Sequence, residues 1–100
     1  MTKLFISQPM RGKTDKQILD ERESAVRAVL DMVDDDVGVI DSFFAGTELG
    51  KPLAYLGESL KLMAEADFVY FAPGWKNARG CLIERMCCSV YGIPVIGEAD

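Results

Sequence analysis

Histidine is absent from this chain of 100 residues. That absence excludes Ser-His and Cys-His nucleophile pairs and histidine-ligated metals. Proton transfer must then fall to carboxylates, Tyr, Lys or Cys, and carboxylates are the first candidates. Cysteine is scarce and odd in number: Cys81, Cys87 and Cys88. Their spacing matches no common zinc pattern, and an odd count suits a reduced, cytoplasmic protein with three small apolar thiols in its interior. No apolar run approaches a membrane span, and the first residues lack the apolar segment of a secretion signal, so neither membrane nor leader is expected. Positive charge is in deficit, with 11 Lys and Arg against 16 Asp and Glu and a net charge of −5. Broad electrostatic binding of a nucleic-acid polymer needs a basic face, and none is expected here.

What is present is a well-patterned globular sequence. Hydrophobic residues make up 49% of it, enough to exclude disorder, and the length fits one domain over residues 1–100. A core of this size is modest, and association of copies would add to it. Residues 3–7 read as a short buried strand, broken by Pro9 and Gly12. Thr14 and Gln17 have capping-box spacing, and apolar positions at helical intervals predict a helix reaching about Val33. Residues 34–36 are three aspartates, expected as a solvated exit loop. Residues 37–43 read as a second strand, 45–52 as a loop, and 53–65 as a second helix weakened in its middle by Gly57. Residues 67–72 form a third strand, 79–91 a third helix stopped by Gly92, and 93–97 a fourth strand.

This β-α-β-α-β-α-β alternation predicts a three-layer α/β domain. Its core is a flavodoxin- or Rossmann-like parallel sheet of about four strands, order 2-1-3-4, with helices on both faces. Pro94 suits the outermost strand. In such sheets ligands bind beyond the carboxyl ends of the strands, at the switch between the first and third. The turns after those two strands, at residues 8–13 and 73–80, are the two unusual ones. Loop cations Arg11, Lys13, Lys76 and Arg79 flank them. Glu84 is expected in the first turn of the third helix, where the helix dipole favours an ionised carboxylate. A fixed carboxylate at a ligand crevice suits covalent glycosyl transfer.

Three segments, LFISQPMRG (4–12), DFVYFAPG (67–74) and RGCLIE (79–84), resemble the nucleoside 2-deoxyribosyltransferase-like superfamily, and in particular its short bacterial and phage members. The resemblance covers almost the whole chain. It implies that Glu84 is a nucleophile that attacks the anomeric carbon of a (deoxy)nucleoside or nucleoside 5′-monophosphate. It implies that Gly80 lets the sugar approach the backbone, and that residues 8–12, Met10 among them, cradle the sugar or its 5′-substituent. Arg11, Gly12 and Lys13 would favour a phosphate there. No metal or organic cofactor is implied.

Other assignments stay open on the residues themselves. Glu84 also fits a carboxylate that interacts with the helix dipole. Arg11 fits a surface charge beside Asp15. Trp75 fits stacking on a base or packing over the sheet end, and Asn77 reading of a base edge. Asp41 fits a ribose-binding acid or a cap on the following loop. Ser7 and Gln8 fit sugar hydrogen bonds or satisfaction of loop backbone. Tyr55, Leu56, Leu60 and Met63 fit core or a subunit contact, and a homodimer or higher homo-oligomer is expected. Ser59 and Ala78 stand where active relatives of this kind often carry acids or hydroxyls. That favours the alternative function, a non-catalytic nucleotide-binding or sensing module. A flavin-dependent electron carrier fits poorly, because the first turn lacks a Ser/Thr-rich phosphate loop.

Overall fold

The computed structural model describes residues 2–33, 36–42 and 51–99. Along the chain run β1 (Thr2–Ser7), α1 (Asp15–Met32), β2 (Val37–Val39), α2 (Pro52–Met63), β3 (Phe68–Phe71), a 3-10 turn (Trp75–Asn77), α3 (Arg79–Tyr91) and β4 (Val95–Glu98). The strands form one sheet in the order β2-β1-β3-β4, and every neighbouring pair is parallel. The fold is therefore a Rossmann-like α/β sheet flanked by helices.

β1 is central, with Leu4 opposite Val39 on one side and Phe68 on the other. Its side chains alternate between two apolar layers, as strand geometry requires. Leu4 and Ile6 pack with Ala25 and Val29 of α1, while Phe5 packs with Met63 of α2 and Cys81 and Cys88 of α3. β3 and the residue after it repeat the pattern, Tyr70 and Ala72 facing the α1 layer and Val69 and Phe71 the α2/α3 layer. A continuous apolar strand buried on both faces is the expected signature of a parallel sheet.

Local chemistry sets the boundaries. The capping box forms: Gln17 N donates to Thr14 Oγ1 at 3.1 Å, and Thr14 N donates to Gln17 Oε1 at 2.9 Å. α3 stops at Gly92, whose φ of 71° is left-handed and needs no Cβ. The Pro94 carbonyl accepts from Val69 N at 2.9 Å just before edge strand β4. β2 is shorter than the sequence pattern suggests. Ile40 N still reaches Leu4 O at 2.8 Å, but beyond it Ser42 turns to the Arg22 guanidinium of α1 at 3.0 Å, and Arg22 also donates to the Ile40 carbonyl. Phe43 and residues 45–50 of the expected loop lie outside the described residues, as do Asp34 and Asp35. α2 starts one residue earlier and ends two earlier than the pattern predicts, because Pro52 serves as its first residue.

Gly97 lies where β4 crosses the Tyr70 ring. A Cβ there would stand 3.0 Å from Tyr70 Cδ1 and Cε1 and 3.2 Å from Met32 Cε. Tyr70 is buried. Gly97→Val is expected to destabilise the fold by about 1–3 kcal/mol, lowering the melting temperature by roughly 5–15 °C. An unchanged thermal melt would show that the ring has room to move.

Candidate functional site

The carboxyl ends of β1 and β3 open onto a cleft of about 1180 Å³ walled by the β1–α1 turn, the start of α2, and the start of α3. Ser7 is the last residue of β1 and points to the same layer as Phe5, toward α3. There its Oγ donates to Glu84 Oε1 at 2.6 Å, closing a contact between residues 77 apart in sequence. Both groups are buried, Glu84 to 6% exposure, and Glu84 lines the cleft. Ser7 occupies one carboxyl oxygen, and among the described residues no hydrogen bond reaches Oε2.

The expected placing of Glu84 is corrected by the helix itself. α3 begins at Arg79 and carries no acid in its first turn, so Glu84 falls in the second turn. Helix-end stabilisation fades within the first turn, and desolvation prevails instead. Burial pushes the Glu84 carboxyl from 4.5 up to about 7, with the Ser7 hydrogen bond opposing the rise. The group is therefore near half-ionised at neutral pH rather than fully charged. Cys81, one turn earlier on the same buried stripe, is also desolvated, and its thiol is pushed up to about 11. It is not an activated nucleophile.

Around this pair the structure gathers several of the candidate residues. Gln8 is buried on the cleft wall; its Nε2 donates to Ile18 O at 3.0 Å, while Oε1 has no donor among the described residues. Met10, Arg11, Asn77 and Gly80 also line the cleft, as do Ser59 and Ala78. Arg11 is exposed and makes no ion pair among the described residues, with Asp15 or otherwise. Sequence reasoning passed over Lys51, which precedes α2 and lines the cleft together with Arg79. Its only signal was its place before Pro52, a helix start. The N-cap residue of α3, Ala78, supplies no capping side chain, so among the described residues the first N–H groups of α3 have no side-chain cap, the arrangement that suits an anion.

Other candidates lie elsewhere. Trp75 is not in the cleft. It is buried in the α2/α3 layer, its ring 5.1 Å from that of Phe71, and Nε1 donates to Ala99 O at 2.8 Å. Gly12 is exposed outside the lining, with a left-handed φ of 78°. The expected phosphate cradle at residues 11–13 is not free, because Lys13 pairs with Glu21 at 2.7 Å and the capping box occupies the start of α1. Asp41 is exposed, outside the lining, and acts on the Arg22 guanidinium. Of the α2 residues expected at a core or subunit contact, Met63 is core, Leu60 packs against the core, and Tyr55 and Leu56 line the cleft. Among the described residues no group of three or more acidic or cysteine side chains is placed to hold a metal ion, and no helix is long and apolar enough to cross a membrane.

The raised carboxyl makes stability depend on pH in a fixed direction. Between 4.5 and about 7 the folded protein keeps a proton that the unfolded chain has released. Stability therefore falls as pH rises through that window, by about 3 kcal/mol at most. Glu84→Gln retains an acceptor for Ser7 but cannot ionise. Its melting temperature is expected to match wild type near pH 4.5 and to exceed it above about pH 7. Equal melts at both ends would mean that water reaches the carboxylate. No protein-family model, no curated protein and no solved structure matches the chain, so the site stands on its own geometry.

Proposed function

We propose that the protein acts on the N-glycosidic bond of a (deoxy)nucleoside or its 5′-monophosphate, by transfer or hydrolysis, with Glu84 as nucleophile. The observation that carries this reading is the buried Ser7–Glu84 pair, whose Glu84 lines a cleft beyond β1 and β3. Ser7 orients the carboxyl and favours its charged form. Once deprotonated, Glu84 attacks the anomeric carbon. The new C–O bond forms as the C–N bond breaks, and that electron pair leaves with the base, which takes up a proton from solvent. Water or a second base then displaces Glu84 from the sugar.

The surroundings suit such a substrate. Gln8 lines the cleft, and its buried Oε1 has no donor among the described residues. Gly80 has open space where a Cβ would stand, so a sugar can come close to the backbone. Arg11, Lys51 and Arg79 ring the mouth of an otherwise acidic protein, and with the open start of α3 they suit a 5′-phosphate. Asn77 on the rim would meet the base. The resemblance to nucleoside 2-deoxyribosyltransferase-like proteins points to the same chemistry, and three free thiols suit a reducing, cytoplasmic setting.

One observation favours a second reading, nucleotide binding without turnover. Ser59 and Ala78, which stand where the resemblance implies an aspartate and an acid or hydroxyl, both line the cleft.

Mass spectrometry of products separates the two readings. Wild type incubated with ribo- and deoxynucleosides and their 5′-monophosphates, with and without a free acceptor base, is expected to release or exchange base. Glu84→Ala is expected to abolish this. Ligand-induced thermal stabilisation without any product in the wild type would establish the binding module instead. Turnover should rise with pH through about 7 as Glu84 ionises. In Ser7→Ala that limb should move upward by roughly one to two pH units, because a hydrogen bond to the charged form is lost. A limb that stays in place would remove Ser7 from the positioning role.

A further inference from the structure

Among the described residues Glu84 has no cationic partner. It is 6% exposed, none of the ion pairs includes it, and its hydrogen bond comes from the neutral Ser7 hydroxyl. Arg11, Lys51 and Arg79 line the same cleft, yet burial and the Ser7 bond are what set the state of the carboxyl. Once ionised, Glu84 is a buried charge without a counter-ion, an arrangement that folded chains avoid unless something completes it. We propose that the substrate completes it: the sugar that Glu84 attacks carries its base through a positively charged ring nitrogen, as in a pyridinium nucleotide or an N7-alkylated purine nucleotide. This inference rests on the glycosidic reaction proposed above and names the kind of base that leaves.

The chemistry of departure points the same way. A neutral purine or pyrimidine leaves as an anion unless an acid gives it a proton, and a positioned acid contributes about 10²–10⁴-fold. The described lining holds two carboxyl residues, Glu84 and Asp15. Glu84 is the nucleophile, and Asp15 is exposed in the first turn of α1, where the helix dipole suits a negative charge. Ser59 and Ala78 on the same lining bring no acid. Cys81, its thiol pushed up to about 11, holds its proton too tightly to give it up near neutrality. A cationic ring needs none of these groups. As the bond from Glu84 to the anomeric carbon forms, the C–N bond breaks, and its electron pair cancels the charge on the ring nitrogen. The base departs neutral and takes up no proton. Water then displaces the carboxylate from the sugar and releases one proton to solvent. The same positive charge, brought beside Glu84, favours the carboxylate form against burial. Tyr55 also lines the cleft, and an aromatic side chain suits a cationic ring.

Matched nucleotides test it on the full chain, with base release followed by mass spectrometry. The probes are nicotinamide mononucleotide, and guanosine and 2′-deoxyguanosine 5′-monophosphates, each with and without a 7-methyl group. Rates are taken above an enzyme-free blank, which removes the greater intrinsic lability of the methylated forms. At least one cationic class is expected to be cleaved about a hundredfold or more faster than the unmethylated guanine nucleotides, the factor that a missing acid costs them. Release from nicotinamide mononucleotide alone assigns a pyridinium substrate, release from the methylated pair alone an alkylated purine, and either supports the proposal. Glu84→Gln, checked for folding by circular dichroism, is expected to fall to the blank, and a variant as active as wild type on the cationic probes would overturn the proposal. Equal or faster release from the unmethylated nucleotides would overturn it too, and would leave the proposed reaction standing. Release from none of the probes would also overturn it, and the reaction would then stand or fall on the neutral nucleosides and nucleotides tested for it.

Discussion

The strict alternation of β1 governs the rest of the molecule. As the central strand it must fill two apolar layers at once, so Leu4 and Ile6 belong to α1 while Phe5 and Ser7 belong to α2 and α3. A shift of one residue would reverse all four. It would bring two large side chains to the α3 side and turn Ser7 toward α1, away from Glu84. The packing of the core and the composition of the cleft floor are thus one decision, taken by the order of apolar and hydroxyl residues over four positions.

At the cleft floor two physical terms oppose each other. Removing the Glu84 carboxyl from water disfavours its charge, and one short hydrogen bond from Ser7 restores part of what was lost. Neither term depends on a metal or on a paired acid. A carboxyl balanced near neutrality is able to give and take protons at physiological pH, which a fully solvated glutamate does poorly. The cations on the rim stand farther out, where solvent screens them, and they bear on what approaches the cleft more than on the carboxyl itself.

Element order and strand order were legible in the sequence because its punctuation is strong. Pro9, Gly12, Pro73 and Gly92 fall between segments of clear period, the Thr14–Gln17 box marks a helix start, and Pro94 marks an edge. The site was legible in part. Ser7, Gln8 and Gly80 could be placed at the ends of their elements, but Glu84 was expected one turn too early on α3 and its depth was not read. A signal for that depth existed: Glu84 shares the spacing of Cys81 and Cys88, the inward stripe of α3. It was hidden because α3 is apolar on most of its circumference, and larger side chains than cysteine face outward. For Trp75 and Asp41 the sequence left two roles open, and neither residue lines the cleft. A turn residue next to a site in sequence can point into the layer below it, and only the 3-10 turn at residues 75–77 decides which way the indole goes.

Trp75 is the only tryptophan of the chain, and its position makes it a built-in optical reporter. The indole is held between Phe71 at the end of β3 and the Ala99 carbonyl beyond β4, with the Lys76 ammonium 5.9 Å from its ring. Two residues farther along lies Asn77, on the cleft rim. Intrinsic fluorescence from this one chromophore therefore reports on the junction that carries the site, and it does so without a label.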